Sequence, residues 1–286
     1  MTKILITGAT GKVGSAVTAE LQSKGISFKA MVRNPDKAQE LNNQGVETIA
    51  GDFADPLSYR SALDNVQKVF LLVPPDENMA QMECDFIDAC KEADVEHIVN
   101  ISAVGTARDS PLNLGQFHYR TEEHLKASGI AYTILRPHSF MQNLLGNIGT
   151  VKAQSSIYSS AGDVGVPMID ARDVGAVAAA VLTNPGHENE VYHVTGSNLV
   201  TQPDIASAIS EAVGREITYV PVPDEAAHQA MVGMGLPPWL ADDLVGMTRF
   251  WREGHGVAID PIAEQILGRS TRTVQDFIQD HVFLFR

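Results

Sequence analysis

Residues Ile4-Leu5-Ile6-Thr7 run straight into Gly8-Ala9-Thr10-Gly11-Lys12-Val13-Gly14. The short apolar run, rich in β-branched residues, reads as a strand over 3–7. The stretch 11–24 places Val13, Val17 and Leu21 on one face at a spacing of four and reads as a helix. A G-x-x-G-x-x-G spacing between a strand and a helix leaves the chain few arrangements. Gly8 permits the sharp exit from the strand, Gly11 lets the backbone approach a phosphate, and Gly14 lets helix and strand pack closely. Backbone N–H groups from Thr10 through Gly11, Lys12, Val13 and Gly14 then face a pyrophosphate at a helix N-terminus, where the helix dipole favours an anion. The alternative is a tight turn with no ligand; the flanking strand and helix favour a dinucleotide.

The rest of the first half keeps the same rhythm. Strands are expected over 27–32, 46–50, 68–73, 97–102 and 131–135, with helices over 76–93 and 116–127. Asn34-Pro35 and Asp55-Pro56 are helix starts, a capping side chain followed by proline at the first helical position. Near-continuous apolar strands separated by helices predict a parallel sheet covered on both faces, an α/β doubly wound (Rossmann) fold. After Arg136-Pro137 strands become sparse (164–169, 191–194, 217–220) and helices dominate, including 173–182 and 201–213. Thr201 before Asp204, and Thr273 before Asp276, are capping-box patterns. The expected division is a dinucleotide-binding domain over 1–150 and a smaller, mostly helical substrate lobe over 151–286, interleaved with it.

The second strand ends Ala30-Met31-Val32-Arg33-Asn34, with Arg33 where NAD enzymes carry a ribose-binding acid. A guanidinium there suits the 2′-phosphate of NADP(H), with Lys12 as a second cation, so NADP(H) is preferred over NAD(H); the alternative is that both are solvated surface cations. Asp52, in Gly51-Asp52-Phe53, either accepts from the adenine amino group or only shapes a turn; Phe53 can pack near the ring. Val73 and Pro74 end the fourth strand with a rigid, apolar backbone along which a cofactor can pass.

A net charge of −14 repels phosphate backbones and anionic lipid, so neither nucleic acid nor a membrane is an expected partner. The only cysteines, Cys84 and Cys90, match no metal-ligand or redox spacing; free thiols and no metal are expected. The N-terminus lacks a signal-peptide layout, and the apolar run 174–182 is too short to span a bilayer, so a cytoplasmic location is expected. A small-molecule substrate is the expected partner, and a homodimer stays open.

These residues resemble a family. Gly8-Ala9-Thr10-Gly11 with Gly14, Val32-Arg33-Asn34 and Gly51-Asp52-Phe53 are similar to the atypical short-chain dehydrogenase/reductases. The run from Ser128 to Arg136, followed by Phe140 and Asn143, resembles their NmrA-like branch, as does Gly268-Arg269-Ser270-Thr271-Arg272-Thr273 before Asp276-Phe277-Ile278. The resemblance covers essentially the whole chain and points within that branch to triphenylmethane-dye reductases and type 2 quinone oxidoreductases.

Ordinary short-chain dehydrogenases use Tyr-x-x-x-Lys for proton exchange with an alcohol or ketone. Here the residues four after the six tyrosines are Leu63, Glu123, Arg136, Gly162, Gly196 and Pro223, so that dyad is absent. The resemblance places His118 in the tyrosine slot with Glu122 one helical turn on. Glu122 is expected to orient the imidazole and raise its pKa, leaving His118 a proton donor or a substrate hydrogen-bonding group; a half-buried histidine with an ordinary partner is the structural alternative. Ser102 matches the family's serine and is expected to bond substrate or nicotinamide, or merely to end a strand. His138, Phe140, Met141 and Asn143 are expected at the substrate mouth, where Phe140 and Met141 suit an apolar or aromatic substrate or equally pack into the core. Trp239 and Trp251 read as packing residues. The resemblance implies hydride transfer from NADPH to a quinone, dye, azo or imine-type acceptor; the rival is a catalytically idle NADP(H) sensor.

Overall fold

A computed structural model describes residues 4–286; Lys3, the first residue of the expected opening strand, lies outside them. The chain begins β1 (Ile4–Ile6), α1 (Lys12–Ser23), β2 (Lys29–Val32), α2 (Pro35–Asn43), β3 (Glu47–Ala50). It then crosses back through α3 (Pro56–Tyr59) to β4 (Lys68–Leu71), α4 (Met79–Glu92), β5 (His97–Ile101), α5 (Asn113–Ser128) and β6 (Ala131–Pro137). All six strands pair in parallel, and the order β3-β2-β1-β4-β5-β6 reverses direction between β1 and β4. That reversal is the topological switch point, beyond whose strand C-termini ligands of doubly wound sheets bind.

The later chain returns to this sheet. After α6 (Ile148–Gln154) and β7 (Ser156–Ser159), helix α7 (Ala171–Thr183) leads to β8 (Glu190–Val194). β8 pairs in parallel with β6 as the seventh strand, covering the stretch expected over 191–194. α7 is buried along nearly its whole length against α1 and the sheet. Gly175 makes this approach close: a Cβ there would stand 2.5 Å from the Cβ of Ala16. The expected strand over 164–169 is no strand; only the bridges Phe140–Ile169 and Val166–Val200 form there.

The remaining elements are α8 (Gln202–Val213), β9 (Thr218–Pro221), α9 (Asp224–Gly233), α10 (Pro238–Arg252), α11 (Ile262–Leu267), α12 (Val274–Asp280) and α13 (Val282–Phe285). β9 pairs with β7 in a second, two-stranded sheet. The capping boxes at Thr201–Asp204 and Thr273–Asp276 both form. Arg269 and the Arg272 backbone N–H donate to the buried Asp173 at 2.7 and 2.6 Å, which ties the C-terminal motif to the first turn of α7.

Three apolar cores result. One lies under α1 and α7, one under α3, α4 and α5, and a third joins the turn at Met141–Asn147 to α8, α12 and Trp251. The switch point is pinned from inside: Thr7 Oγ1 donates toward the carbonyl of Phe70 at 3.0 Å and accepts the Leu72 N–H at 2.9 Å.

Candidate functional site

Two clefts open along the C-terminal edge of the sheet and share Leu72. The first is bordered by Gly8, Ala9 and Thr10, by Arg33 and Asn34 after β2, by Gly51, Asp52 and Phe53 after β3, and by Pro74 after β4. Gly8 holds a φ of +61°, in the left-handed region that glycine tolerates. A Cβ on Gly14 would overlap the Gly8 carbonyl oxygen, so α1 can start this close to β1 only with glycine there. The α1 N-terminus has no side-chain cap and no acidic residue in its first turn, whereas Asn34 and Asp170 cap α2 and α7. A bare helix start beside a glycine cradle fits a pyrophosphate.

Arg33 extends into solvent with its side chain 78% exposed, its Nε 4.0 Å from Asp52. Asp52 turns the chain, its Oδ1 accepting the Ala54 N–H at 3.0 Å, while still bordering the cleft. Phe53 packs edge-on against Phe86 at 5.1 Å between ring centroids. Lys12 does not join Arg33. Its Nζ donates to Asn143 Oδ1 at 3.1 Å, on the side of the second cleft.

The second cleft brings together Val73, Ser102, His118, His138, Phe140 and Asn143. Met141 points away into the third core and is 2% exposed. The opposite wall, which the sequence reading did not place, is Leu114 of α5 with Leu244, Met247 and Trp251 of α10. Residues 244, 247 and 251 form a stripe at helical spacing, a signal equally consistent with plain core packing. Trp251 both packs and lines the cleft, its ring stacked on His138 at 5.4 Å, while Trp239 rests against Phe117. Among the described residues no Asp, Glu, Lys or Arg lines this cleft.

Both histidines there are uncharged at neutral pH. His138 Nδ1 accepts the Ser139 N–H at 2.7 Å, so its proton sits on Nε2 and is donated to the Gly256 carbonyl at 2.8 Å. Burial pushes its pKa down to about 4. His118 is also held down to about 4, because burial outweighs the Glu122 charge; this is opposite to the direction expected from the sequence. Its Nδ1 has no hydrogen-bond partner among the described residues.

Glu122 is fully buried and serves other partners. Arg136 grips it with both arms, Nε to Oε1 at 2.8 Å and Nη2 to Oε2 at 2.6 Å, and Ser102 Oγ donates to Oε1 at 2.6 Å. Burial alone would raise the Glu122 pKa; Arg136 and Ser102 outweigh it and hold the carboxyl below its ordinary value. Behind the corner at Val73 lies a second buried carboxyl, Glu83. It accepts from Thr121 at 2.8 Å and from the Val73 N–H, and burial pushes its pKa up to about 7.

Among the described residues no group of three or more His, Cys, Asp or Glu could hold a metal ion, and no helix is long and apolar enough to cross a membrane. Cys84 and Cys90 are free thiols.

A seven-stranded doubly wound sheet, a glycine cradle under a bare helix start and an apolar cleft beside it define a dinucleotide-binding α/β protein. The chain belongs to the NmrA-like family, whose model matches residues 1–277. It is 39% identical over 282 residues to the NAD(P)H azoreductase of Xenophilus azovorans, covering 99% of each chain. Among solved structures it resembles the NADPH-dependent quinone oxidoreductase of Escherichia coli complexed with NADPH, with TM-score 0.89, 31% identity, and 98% of this chain and 99% of the other covered. It also resembles the triphenylmethane reductase of a Citrobacter species complexed with NADP(H), with TM-score 0.85, 26% identity, and 97% and 99% covered.

Proposed function

We propose that this protein is an NADPH-dependent reductase that delivers hydride to an apolar, aromatic acceptor of the quinone or dye class. The observation that carries the reading is a pair of neighbouring clefts at the switch point that share Leu72 in their walls, one along the glycine loop with Arg33 and Asp52 on its border and the other apolar. Relatives named as an azoreductase and a quinone oxidoreductase support it.

Bound NADPH supplies the hydride. The chain's own part is placement. The first amides of α1 and the glycine loop hold the pyrophosphate, and Arg33 meets the 2′-phosphate. Val73 and Pro74 guide the cofactor past the switch point, and Asp52 and Phe53 flank its adenine end. Phe140, Leu244, Met247 and Trp251 orient a flat ring and keep water from it. His118 and His138 border that ring as neutral groups, and Asn143 offers an amide at the rim. Among the described residues of the apolar cleft no group stands ready as a strong acid. Acceptors that take their proton from water once hydride has moved suit such a cleft, and an alcohol–ketone pair does not.

The cofactor-binding part is assigned to 1–150 and the substrate-side part to 151–286, interleaved through α7 and β8. The chain's free thiols and its pyridine cofactor suit the cytosol.

The test follows the loss of reduced-nicotinamide absorbance with menadione, an azo dye and a triphenylmethane dye. Turnover with at least one acceptor is expected. Binding of NADPH without turnover on any of them sinks the reductase reading and favours an idle cofactor sensor.

A further inference from the structure

Within that reading, we infer that Ser102 acts only as a hydrogen-bond acceptor, its polarity fixed by Glu122 and Arg136, and that it recognises an N–H or O–H donor on a bound reactant.

The argument is a count of hydrogens. A serine hydroxyl has one hydrogen to give and two lone pairs. Glu122, clasped by both arms of Arg136, is a carboxylate and can only accept. Its 2.6 Å contact with Ser102 therefore takes the single Ser102 hydrogen. Thr106 Oγ1 lies 3.1 Å from Ser102 Oγ and 2.8 Å from the Ala103 carbonyl. Whichever of these receives the Thr106 hydrogen, Ser102 has none left for the cleft. Ser102 lines that cleft, and all its hydroxyl can offer there is a lone pair, strengthened because the hydroxyl donates to an anion.

Ser102 thus cannot stabilise an oxyanion. It suits a primary amide N–H, as on the carboxamide of nicotinamide, or the O–H of a phenolic ring in the acceptor position. Glu122 is a positioning residue that acts through Ser102, and the Nδ1 of His118, unpartnered among the described residues, is left out of this chain of bonds.

The test is calorimetric binding to the purified protein. One arm compares NADP+ with its acetylpyridine analogue, in which a methyl ketone replaces the amide donor. The other compares β-naphthol with its methyl ether. The wild type is expected to prefer the donor-bearing member of one pair by about tenfold, the effect of one buried hydrogen bond. Ser102→Ala is expected to bring that ratio to within about twofold of unity. The pair that responds identifies the donor as cofactor or acceptor ring. In Glu122→Gln the side-chain amide can donate to Ser102 and free its hydrogen, so the preference shrinks or reverses; a merely structural carboxylate would weaken both members alike. If NADP+ binds but Ser102→Ala leaves both ratios unchanged, the inference is overturned. If the wild type fails to bind NADP+ at all, the functional reading falls and takes the inference with it.

Discussion

The Nζ of Lys12 donates to the Oδ1 of Asn143 over 3.1 Å, so the glycine loop of one cleft is tied to the rim of the other. Arg33 borders only the first cleft. On the proposed reading, Lys12 serves the part of the cofactor common to NADPH and NADH. Lys12→Ala is expected to weaken both by a similar factor, roughly threefold to tenfold for one charge-assisted bond. Titrating each cofactor checks this: a selective loss of NADPH would place Lys12 at the 2′-phosphate instead.

Arg33 carries the opposite expectation. Exposed as it is, and 4.0 Å from Asp52, it works in screened surroundings. Arg33→Ser should cut the preference for NADPH over NADH by about tenfold, less at high salt. The readout is the ratio of kcat/KM for the two cofactors at two ionic strengths; an unchanged ratio would remove Arg33 from the phosphate site.

His118, neutral down to about pH 4, should contribute no titration to the rate near neutrality. The kcat profile is expected to stay flat between about pH 6 and 8, and His118→Ala should lower kcat less than about tenfold, below the usual contribution of a general acid. A limb near pH 6.5 that disappears in the variant would show that the imidazole charges during turnover.

Stability should depend on pH with a definite sign. His97, His118 and His138 are each held down to about 4 by burial. Above their unfolded pKa near 6.5 their full contribution is present. As pH falls from there toward 4 the unfolded chain binds more protons, and stability drops by up to about 1.4 kcal/mol per pH unit for each. Glu83, raised to about 7, opposes this: its contribution is present at low pH and is lost as pH rises through 7. Glu83→Gln should make the acid-side loss steeper and raise stability above about pH 8. Urea midpoints across pH 4 to 8.5 measure both trends; parallel curves for the two proteins would contradict the raised carboxyl.

Two glycines should separate cofactor binding from folding. Gly14→Ala drives a methyl into the Gly8 carbonyl, so both NADPH binding and thermal stability should fall. Gly175→Ala crowds Ala16 across the α1–α7 contact and should destabilise by about 1–3 kcal/mol, the usual cost of overpacking. Its NADPH affinity should change little. A variant at Gly175 that melts like the wild type would show that the two helices part easily.

Much of the first half was legible because its signals are local. β1, the glycine turn and α1 follow from apolar period and glycine sterics within twenty residues, and the caps at Asn34, Thr201 and Thr273 each form as their sequence predicts. The stretch 164–169 misled because an apolar β-branched run looks alike in a strand and in an extended segment held by isolated bridges. Leu244, Met247 and Trp251 were hidden for a related reason: a helical stripe shows a buried face without showing what it faces.

The sequence by itself determined that a strand must turn through glycine into a helix, because backbone sterics allow little else. It also determined the parallel α/β layering, because period and apolarity are written residue by residue. Only the tertiary structure decided that Glu122 answers to Arg136 and Ser102 and leaves His118 neutral, and that His138 reaches Gly256, 118 residues away. The reason is physical: charge state and hydrogen-bond polarity are set by desolvation and by whichever partners arrive from distant strands and helices, and these have no local imprint.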